Sequence, residues 1–231
     1  MDFPYPIYRV PGAQALDKLA ELRGQGGGIA LILGSAEDFE NLCEGFEFNE
    51  DTPESYLAQA EKLDAVHWLR HRYDEEGKAD VDEAEMDAQG DADEPWPTSP
   101  HEASQRGLSA HCDVLSNEPY DEVVLTVLPT DASWKAPCLL KTGGWNECPF
   151  PHEQAAVFKL WVERHGAELA CVANDVVEMT VARPPTTRKA ALELAQQQYS
   201  FCGDIVDQGV GDVQTLAKTL LFAPVWYFWW D

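Results

Sequence analysis

Apolar residues recur at helical spacing over residues 16–22, and a glycine-rich stretch, 24–28, follows them directly. The spacing predicts a helix that the glycines end, and the apolar run 29–33 beyond them predicts a buried strand. A glycine loop that binds a dinucleotide follows a strand and opens a helix. Because these glycines precede the strand instead, we interpret them as a turn and discard a Rossmann fold.

Helix-capping and turn residues divide the rest of the chain into predicted elements. Ser35 and Asp38 have the spacing of a capping box, and Thr52 followed by Pro53 predicts a longer helix that reaches about Arg72. Beyond these we predict, in chain order, a strand at 123–128, a short extended piece at 138–141, a helix at 151–165, a hairpin of strands at 168–172 and 176–181, helices from 187 and over 213–221, and a last strand at 225–230. The irregular alternation predicts an α+β fold with a mixed, largely antiparallel sheet and packed helices.

The last six residues of the chain, WYFWWD, are aromatic on both faces of the strand they predict. Trp226, Phe228 and Trp230 would face one side, and Tyr227 and Trp229 the other. We therefore predict a central strand covered by other layers. The alternative is that Trp229 or Tyr227 lines a pocket or a groove for a partner.

Charge is concentrated in the middle of the chain. The sequence has 41 acidic and 16 basic residues, a formal net charge of −25, and residues 74–94 carry 11 acidic residues against the single base Lys78. This segment has too few large apolar residues to offset its ordering entropy, so we predict an acidic mobile linker over 74–100. It would separate an N-terminal α/β region, 1–73, from a C-terminal α+β domain, 101–231. The alternative is an acidic lure that docks on a basic protein partner.

Composition disfavours several classes of function. No Lys and Arg cluster that could neutralise phosphates is present, so we expect no nucleic-acid partner. No apolar stretch is long enough to span a membrane and no signal peptide is apparent, so we expect no membrane partner and a cytoplasmic location. The six scattered cysteines form no CxxC pair, and we interpret them as reduced thiols.

Two histidines could suggest a metal. His67 and His71 stand four residues apart on the predicted long helix, a spacing that can place two imidazoles on one ion. However, HWLRH lacks the glutamate of a zinc-protease motif, and the spacing supplies no third ligand. We therefore expect no metal site and no cofactor.

Four uncommon strings occur in the second half of the chain: GGWNECP from Gly143, ARPPTTR from Ala182, YSFCGDIVDQG from Tyr199 and WYFWWD from Trp226. In this order they resemble the bacterial domain-of-unknown-function family 4253. ILGSAEDFENL from Ile32, with the FEFNEDTPE that follows it, resembles the leader of longer members. The resemblance implies a fold and a boundary and implies no reaction.

The string GGWNECP is the most ligand-like part of the chain. Its glycines let a ligand approach the backbone, and Trp145, Asn146 and Glu147 add an aromatic face, an amide and a carboxylate. The alternative is a tight turn in which Trp145 packs and the polar pair binds turn and helix amides. Cys148 and His152 could form a nucleophile and its base, but neither an orienting group nor an oxyanion hole follows, so we assign no catalytic residue.

Asp204 and Gln208 also stand four residues apart and would share a helix face. They could serve acid–base chemistry, or they could cap a helix that Gly209 ends. The candidate binding residues are therefore Trp145, Asn146, Glu147, Asp204, Gln208 and Trp229.

The acidity, the linker and the lack of a complete catalytic set favour a non-enzymatic interaction protein of the adaptor or toxin-neutralising kind. The alternative is a small-molecule-binding protein or a hydrolase with a pocket near GGWNECP and DIVDQG. Geometry discriminates between them. Polar side chains that converge in a concave site with shifted pKa values favour a pocket, and side chains that cap helices favour the interaction protein.

Overall fold

The computed structural model describes residues 3–75, 95–104 and 106–231. Most of the predicted acidic linker, 76–94, lies outside the described residues. The strands are β1 (Ile7–Val10), β2 (Ile29–Ser35), β3 (Val123–Leu128), β4 (Ala167–Val172), β5 (Val176–Val181) and β6 (Val225–Trp229). The helices are α1 (Ala15–Gln25), α2 (Ala36–Phe48), α3 (Pro53–Ala60), α4 (Ala65–Glu75), α5 (Ala136–Leu140), α6 (Pro151–His165), α7 (Arg188–Phe201) and α8 (Val213–Leu220).

The strands form one sheet in the order β1-β3-β2-β4-β5-β6. The neighbours β2 and β4 run parallel, with Ile32 opposite Cys171, and the other four neighbouring pairs run antiparallel. The predicted α+β fold with a mixed, largely antiparallel sheet is confirmed. β2 lies inside the sheet, between β3 and β4, so N-terminal and C-terminal strands share one sheet.

Each face of the sheet has its own core. On one face, strand residues such as Met179 and Phe228 join side chains of α6, α7 and α8 in the larger cluster, where the ring of Trp161 stacks on Phe228 with centroids 5.3 Å apart. On the other face, Ile32 packs with α1, and Tyr120 covers part of the same smaller cluster. None of the helices in the described part of the chain is long and apolar enough to cross a membrane.

The strongest local signals correspond to observed structure. The Ser35 hydroxyl accepts a hydrogen bond from the Asp38 amide while the Asp38 carboxylate accepts from the Ser35 amide, which confirms the capping box. Gly166 ends α6 in the left-handed region, at φ 58°, and the Thr187 hydroxyl caps α7. The hairpin of β4 and β5 is also confirmed.

The predicted long helix after Thr52 is wrong, because two helices occupy its place. The Asp64 carboxylate accepts hydrogen bonds from the amides of Val66 and His67 and so begins α4 separately from α3. The predicted extended piece at 138–141 is also wrong. These residues belong largely to α5, which has a proline in its first turn and ends at Lys141 in the left-handed region.

The aromatic strand β6 lies at an edge of the sheet, so the predicted central position is wrong. Among the strands of the described residues, it pairs with β5 alone. Trp226, Phe228 and Trp230 are buried beneath the helices, as the alternation predicts, whereas Tyr227 and Trp229 on the other face are only half-buried. The second aromatic face is therefore left to line a concave surface.

Candidate functional site

Three of the predicted site residues meet at the end of β6. The Asn146 side chain donates to the carbonyl oxygen of Asp231 at 2.6 Å, and the Asp231 amide donates to the Asp204 carboxylate at 3.0 Å. Gln208 donates to the other oxygen of that carboxylate at 2.9 Å. These groups bind one another and the backbone, so the arrangement braces the strand end. The segment Ile205–Val210, a single wide helical turn, ends at Gly211 and not at the predicted Gly209.

The string GGWNECP forms a tight turn. Gly143 has φ 82°, and a Cβ there would lie 2.1 Å from the Pro149 carbonyl oxygen, so the turn requires glycine. Trp145 is half-buried and packs against the larger core. Glu147 is exposed, and its carbonyl oxygen accepts a hydrogen bond from Arg72. This geometry corresponds to the turn that the sequence offered as the alternative to a ligand site.

The environment of Cys148 does not suit a nucleophile. Burial raises the pKa of its thiol well above the usual value, which keeps the sulfur protonated at neutral pH. Its sulfur lies 3.6 Å from the Gln154 amide nitrogen. The His152 ring stacks instead on Tyr56 and Phe150, with centroids 6.1 and 6.2 Å apart.

Trp229, the remaining predicted site residue, lines a cleft of about 490 Å³ on the sheet face opposite α6 and α7. The cleft lies beside the carboxyl ends of the parallel strands β2 and β4, with walls from the start of α2, the β4–β5 turn, β6 and the segment 106–120. Its volume is typical of ligand sites. The carboxyl ends of neighbouring parallel strands are also a frequent place for ligands in open sheets.

Two carboxylates, Asp38 and Asp175, line this cleft. Asp38 is held at the start of α2, where the Ser35 hydroxyl and amide both donate to one of its oxygens at 2.7 Å. Asp175 lies half-buried in the β4–β5 turn. Burial raises the pKa of Asp175, and the negative charge of Asp38 raises it further. The surroundings of Asp175 therefore do not offset the free-energy cost of burying its negative charge.

Gly34 is required for this placement of Asp38. It has φ 91°, and a Cβ at this position would lie 2.5 Å from the Asp38 carboxylate oxygen. The end of β2 thus requires a glycine, and the backbone there places the Asp38 carboxylate at the cleft.

A third carboxylate, Glu178, holds in place the wall of the cleft that the segment 106–120 forms. Its side chain in β5 is fully buried. It accepts hydrogen bonds from the Ser109 amide at 2.8 Å, the Ser109 hydroxyl at 2.6 Å and the Ala110 amide at 3.0 Å. Charge-assisted bonds of this kind are about twice as strong as neutral ones. These bonds to Glu178 therefore hold the segment 106–120 against the sheet.

Aromatic rings and one arginine complete the cleft. Burial raises the pKa of Tyr227 to about 12 and also raises that of Tyr120. The Arg106 guanidinium lies 3.8 Å from the centre of the Tyr227 ring, a cation–π contact. Burial likewise raises the pKa of Cys112. The phenols and the thiol are protonated at neutral pH, so they offer surfaces and donors rather than nucleophiles.

The described part of the chain contains no group of three or more His, Cys, Asp or Glu side chains that could hold a metal ion. His67 and His71 are exposed on α4, with ring centroids 6.1 Å apart. The sequence interpretation missed Asp38 and Asp175 as a pair. The available signal was that each follows an apolar strand, but only the parallel pairing of β2 and β4 brings them together.

Residues 124–231 match the family model described as Domain of unknown function (DUF4253). The resemblance of the C-terminal strings is confirmed. The predicted leader strings lie outside the matched residues and stay a prediction. No curated protein and no solved structure matches the chain. Asp175, Glu178 and Tyr227 come from the DUF4253 region, whereas Asp38 and Arg106 come from the preceding residues.

Proposed function

We propose that this protein is a non-enzymatic interaction protein of the bacterial cytoplasm, acting as an adaptor or toxin-neutralising protein. A basic protein is its partner, and the cleft receives a Lys or Arg side chain of that partner. The observation that carries the proposal is the half-buried Asp175 carboxylate, whose pKa is raised by burial and by Asp38, next to the rings of Tyr227 and Trp229.

A cation between Asp38 and Asp175 would remove the repulsion that opposes ionisation of Asp175. An opposite charge within about 4–6 Å favours the charged form of a carboxyl, so a bound cation would lower the pKa of Asp175. The same free energy would appear as affinity for the cation. A neutral ligand would not gain this contribution.

The aromatic side of the cleft supports the same ligand chemistry. Arg106 already places a guanidinium over Tyr227 at 3.8 Å, so that ring face accommodates a planar cation. Trp229, beside it on β6, offers the ring type that binds cations best. Carboxylates and aromatic rings in one cleft are features that a Lys or Arg side chain can use together.

The net charge of −25 favours encounter with a basic partner. A negative charge of this magnitude steers a cationic protein toward the surface and raises its association rate, an effect that salt screens over about 8 Å at physiological ionic strength. Binding in the cleft should therefore persist at salt concentrations that abolish nonspecific attraction. A pocket formed by the polar side chains of GGWNECP and DIVDQG is less well supported, because Asn146, Asp204 and Gln208 bind one another and the strand end.

The test compares three acetylated, amidated Gly-Ser peptides that carry one central Arg, Lys or Gln. Calorimetry at about 0.15 M salt should detect the Arg and Lys peptides and not the Gln peptide. Asp175→Asn should weaken binding of the Arg peptide about tenfold, because charge pairs out of bulk water are strong. The control, Glu163→Gln, removes the same charge from an exposed position on α6 and should leave the affinity unchanged. Equal weakening by both variants, or equal binding of the Gln peptide, would contradict the proposal.

A further inference from the structure

A second, smaller pocket lies along the outer side of β6. It has a volume of about 240 Å³ and is bounded by α7, the wide turn Ile205–Val210 and α8. Its lining is mostly apolar, with Ile205, Leu216 and Leu220 among the buried side chains. This pocket is distinct from the cleft that Asp38 and Asp175 line, although Arg106, Tyr227 and Trp229 border both.

Two buried polar side chains in the lining of this pocket lack hydrogen-bond partners. Trp226 and Gln198 are each 1% exposed, and neither the Trp226 indole nitrogen nor the Gln198 amide nitrogen has a partner within the described residues. The large majority of buried side-chain polar atoms in native proteins have a hydrogen-bond partner. An indole N–H can only donate, so the group that would satisfy it must be an acceptor.

A positive charge at the border of the pocket favours an acceptor that is negatively charged. Arg106 lines the pocket, and its guanidinium lies over Tyr227. Two N–H donors and a guanidinium match a carboxylate better than a neutral carbonyl. The volume corresponds to about eight water molecules at roughly 30 Å³ each, which is room for a carboxylate with a tail of about five carbons.

We propose that this pocket binds a small monocarboxylate. Its carboxylate accepts hydrogen bonds from the Trp226 indole and the Gln198 amide, near Arg106. Its apolar tail packs on Leu216 and Leu220. The ligand is independent of the cation proposed for the cleft.

The probe is hexanoate, added to the full ¹⁵N-labelled chain, with the indole N–H resonances followed by NMR. Saturable binding should move the Trp226 indole proton downfield, as expected of a newly formed hydrogen bond. Hexanamide and hexylamine, which share the tail, should bind at least about tenfold more weakly, because hydrogen bonds to a charged acceptor are the stronger ones. Butyrate and benzoate test tails of other sizes.

Two variants and a matched control assign the effect to the pocket. Trp226→Phe keeps a buried ring and removes the donor, and Gln198→Leu removes the amide. Each should weaken hexanoate binding about tenfold. Trp230→Phe is the control, because the Trp230 indole nitrogen is also buried without a partner among the described residues, yet Trp230 does not line the pocket. It should leave the affinity unchanged. If Trp226→Phe fails to fold, the hexanoate affinity of Gln198→Leu alone tests the proposal.

Three results would overturn the proposal. The first is that no carboxylate in the series moves the Trp226 resonance at 20 mM, a concentration chosen as roughly 20 times a millimolar Kd. The second is equal binding of hexanamide or hexylamine. The third is equal weakening by Trp230→Phe. Asp175→Asn should leave hexanoate binding intact, so failure in the pocket and failure in the cleft are distinguishable.

Discussion

The Arg106 guanidinium stacks 3.8 Å from the centre of the Tyr227 ring, and this pair separates the cleft from the smaller pocket. Arg106 is exposed and donates to the Ser109 hydroxyl at 3.3 Å. It therefore occupies a ring face that an incoming cation could use. Its own positive charge also opposes a second cation nearby. Arg106 is thus an intramolecular competitor for the ligand proposed for the cleft.

Arg106→Met should strengthen binding of the Arg peptide several-fold, because it frees the Tyr227 ring and removes a like charge. Exposed cation–π contacts contribute about 0.5–1 kcal/mol, which sets the scale of the change. Calorimetry with the same peptide measures it, and Arg106→Lys, which keeps the charge, should show less gain. Weaker binding by Arg106→Met would mean that Arg106 recruits the ligand instead.

Glu178→Gln should loosen the segment 106–120. The buried carboxylate accepts the Ser109 and Ala110 amides, and a Gln side chain presents an N–H to at least one of these donors. The expected loss in unfolding free energy is about 1.5–3 kcal/mol, the usual value for a hydrogen bond to a charged group. Hydrogen exchange at the Ser109 and Ala110 amides should accelerate. Glu118→Gln, exposed on the same segment, should change neither quantity.

Asp175→Asn should stabilise the protein at neutral pH. The folded-state pKa of Asp175 is raised, so its protonated form stabilises the fold at low pH, and that contribution is lost as pH rises through the folded pKa. The increase in Tm should therefore be present at pH 7 and vanish below about pH 4, where the carboxyl is protonated in both states. Thermal melts across this pH range measure it.

Asp113→Asn is a control that should change Tm at pH 7 in the opposite direction. The Ser116 amide and hydroxyl hold the pKa of Asp113 below its usual value, so its stabilisation is present at neutral pH and is lost as pH falls. Asp113→Asn should thus lower Tm at pH 7. Identical pH profiles for the two variants would show that the environment of Asp175 is not the cause.

Trp230→Ala should lower the urea midpoint sharply. Trp230 is 2% exposed and contacts the Phe201 ring edge-on, with centroids 5.6 Å apart. Removing a buried aromatic side chain costs about 3–5 kcal/mol. Trp229→Ala, on the half-buried face of the same strand, should cost much less. Similar midpoints for the two variants would contradict the alternation of β6.

Elements with strong local signals could be predicted from the sequence. The capping box of Ser35 and Asp38, the end of α6 at Gly166 and the β4–β5 hairpin each depend on neighbours in the chain. The break between α3 and α4 was missed although Asp64 supplied a local cap, because the apolar pattern continues across it. Local conformation was thus predictable where one signal dominated.

The cleft could not be predicted, because it depends on which strands are neighbours. Asp38 and Asp175 line the same cleft only because Ile32 pairs with Cys171, and neither aspartate carries a signal of that pairing. The edge position of β6 has the same origin. Its alternating aromatic residues predict which side chains share a face, but they do not indicate whether another strand lies beyond.

The interior position of β2 has a consequence during synthesis. Ile29–Ser35 leaves the ribosome before its partners, because Val123–Leu128 follows it by roughly 90 residues and Ala167–Val172 comes later still. At about 5–20 residues per second, this apolar strand waits several seconds with both edges unpaired. Nascent chains should therefore aggregate or recruit a chaperone in that interval. Slower translation between β2 and β3 should lower the yield of folded protein even when the finished fold is unchanged.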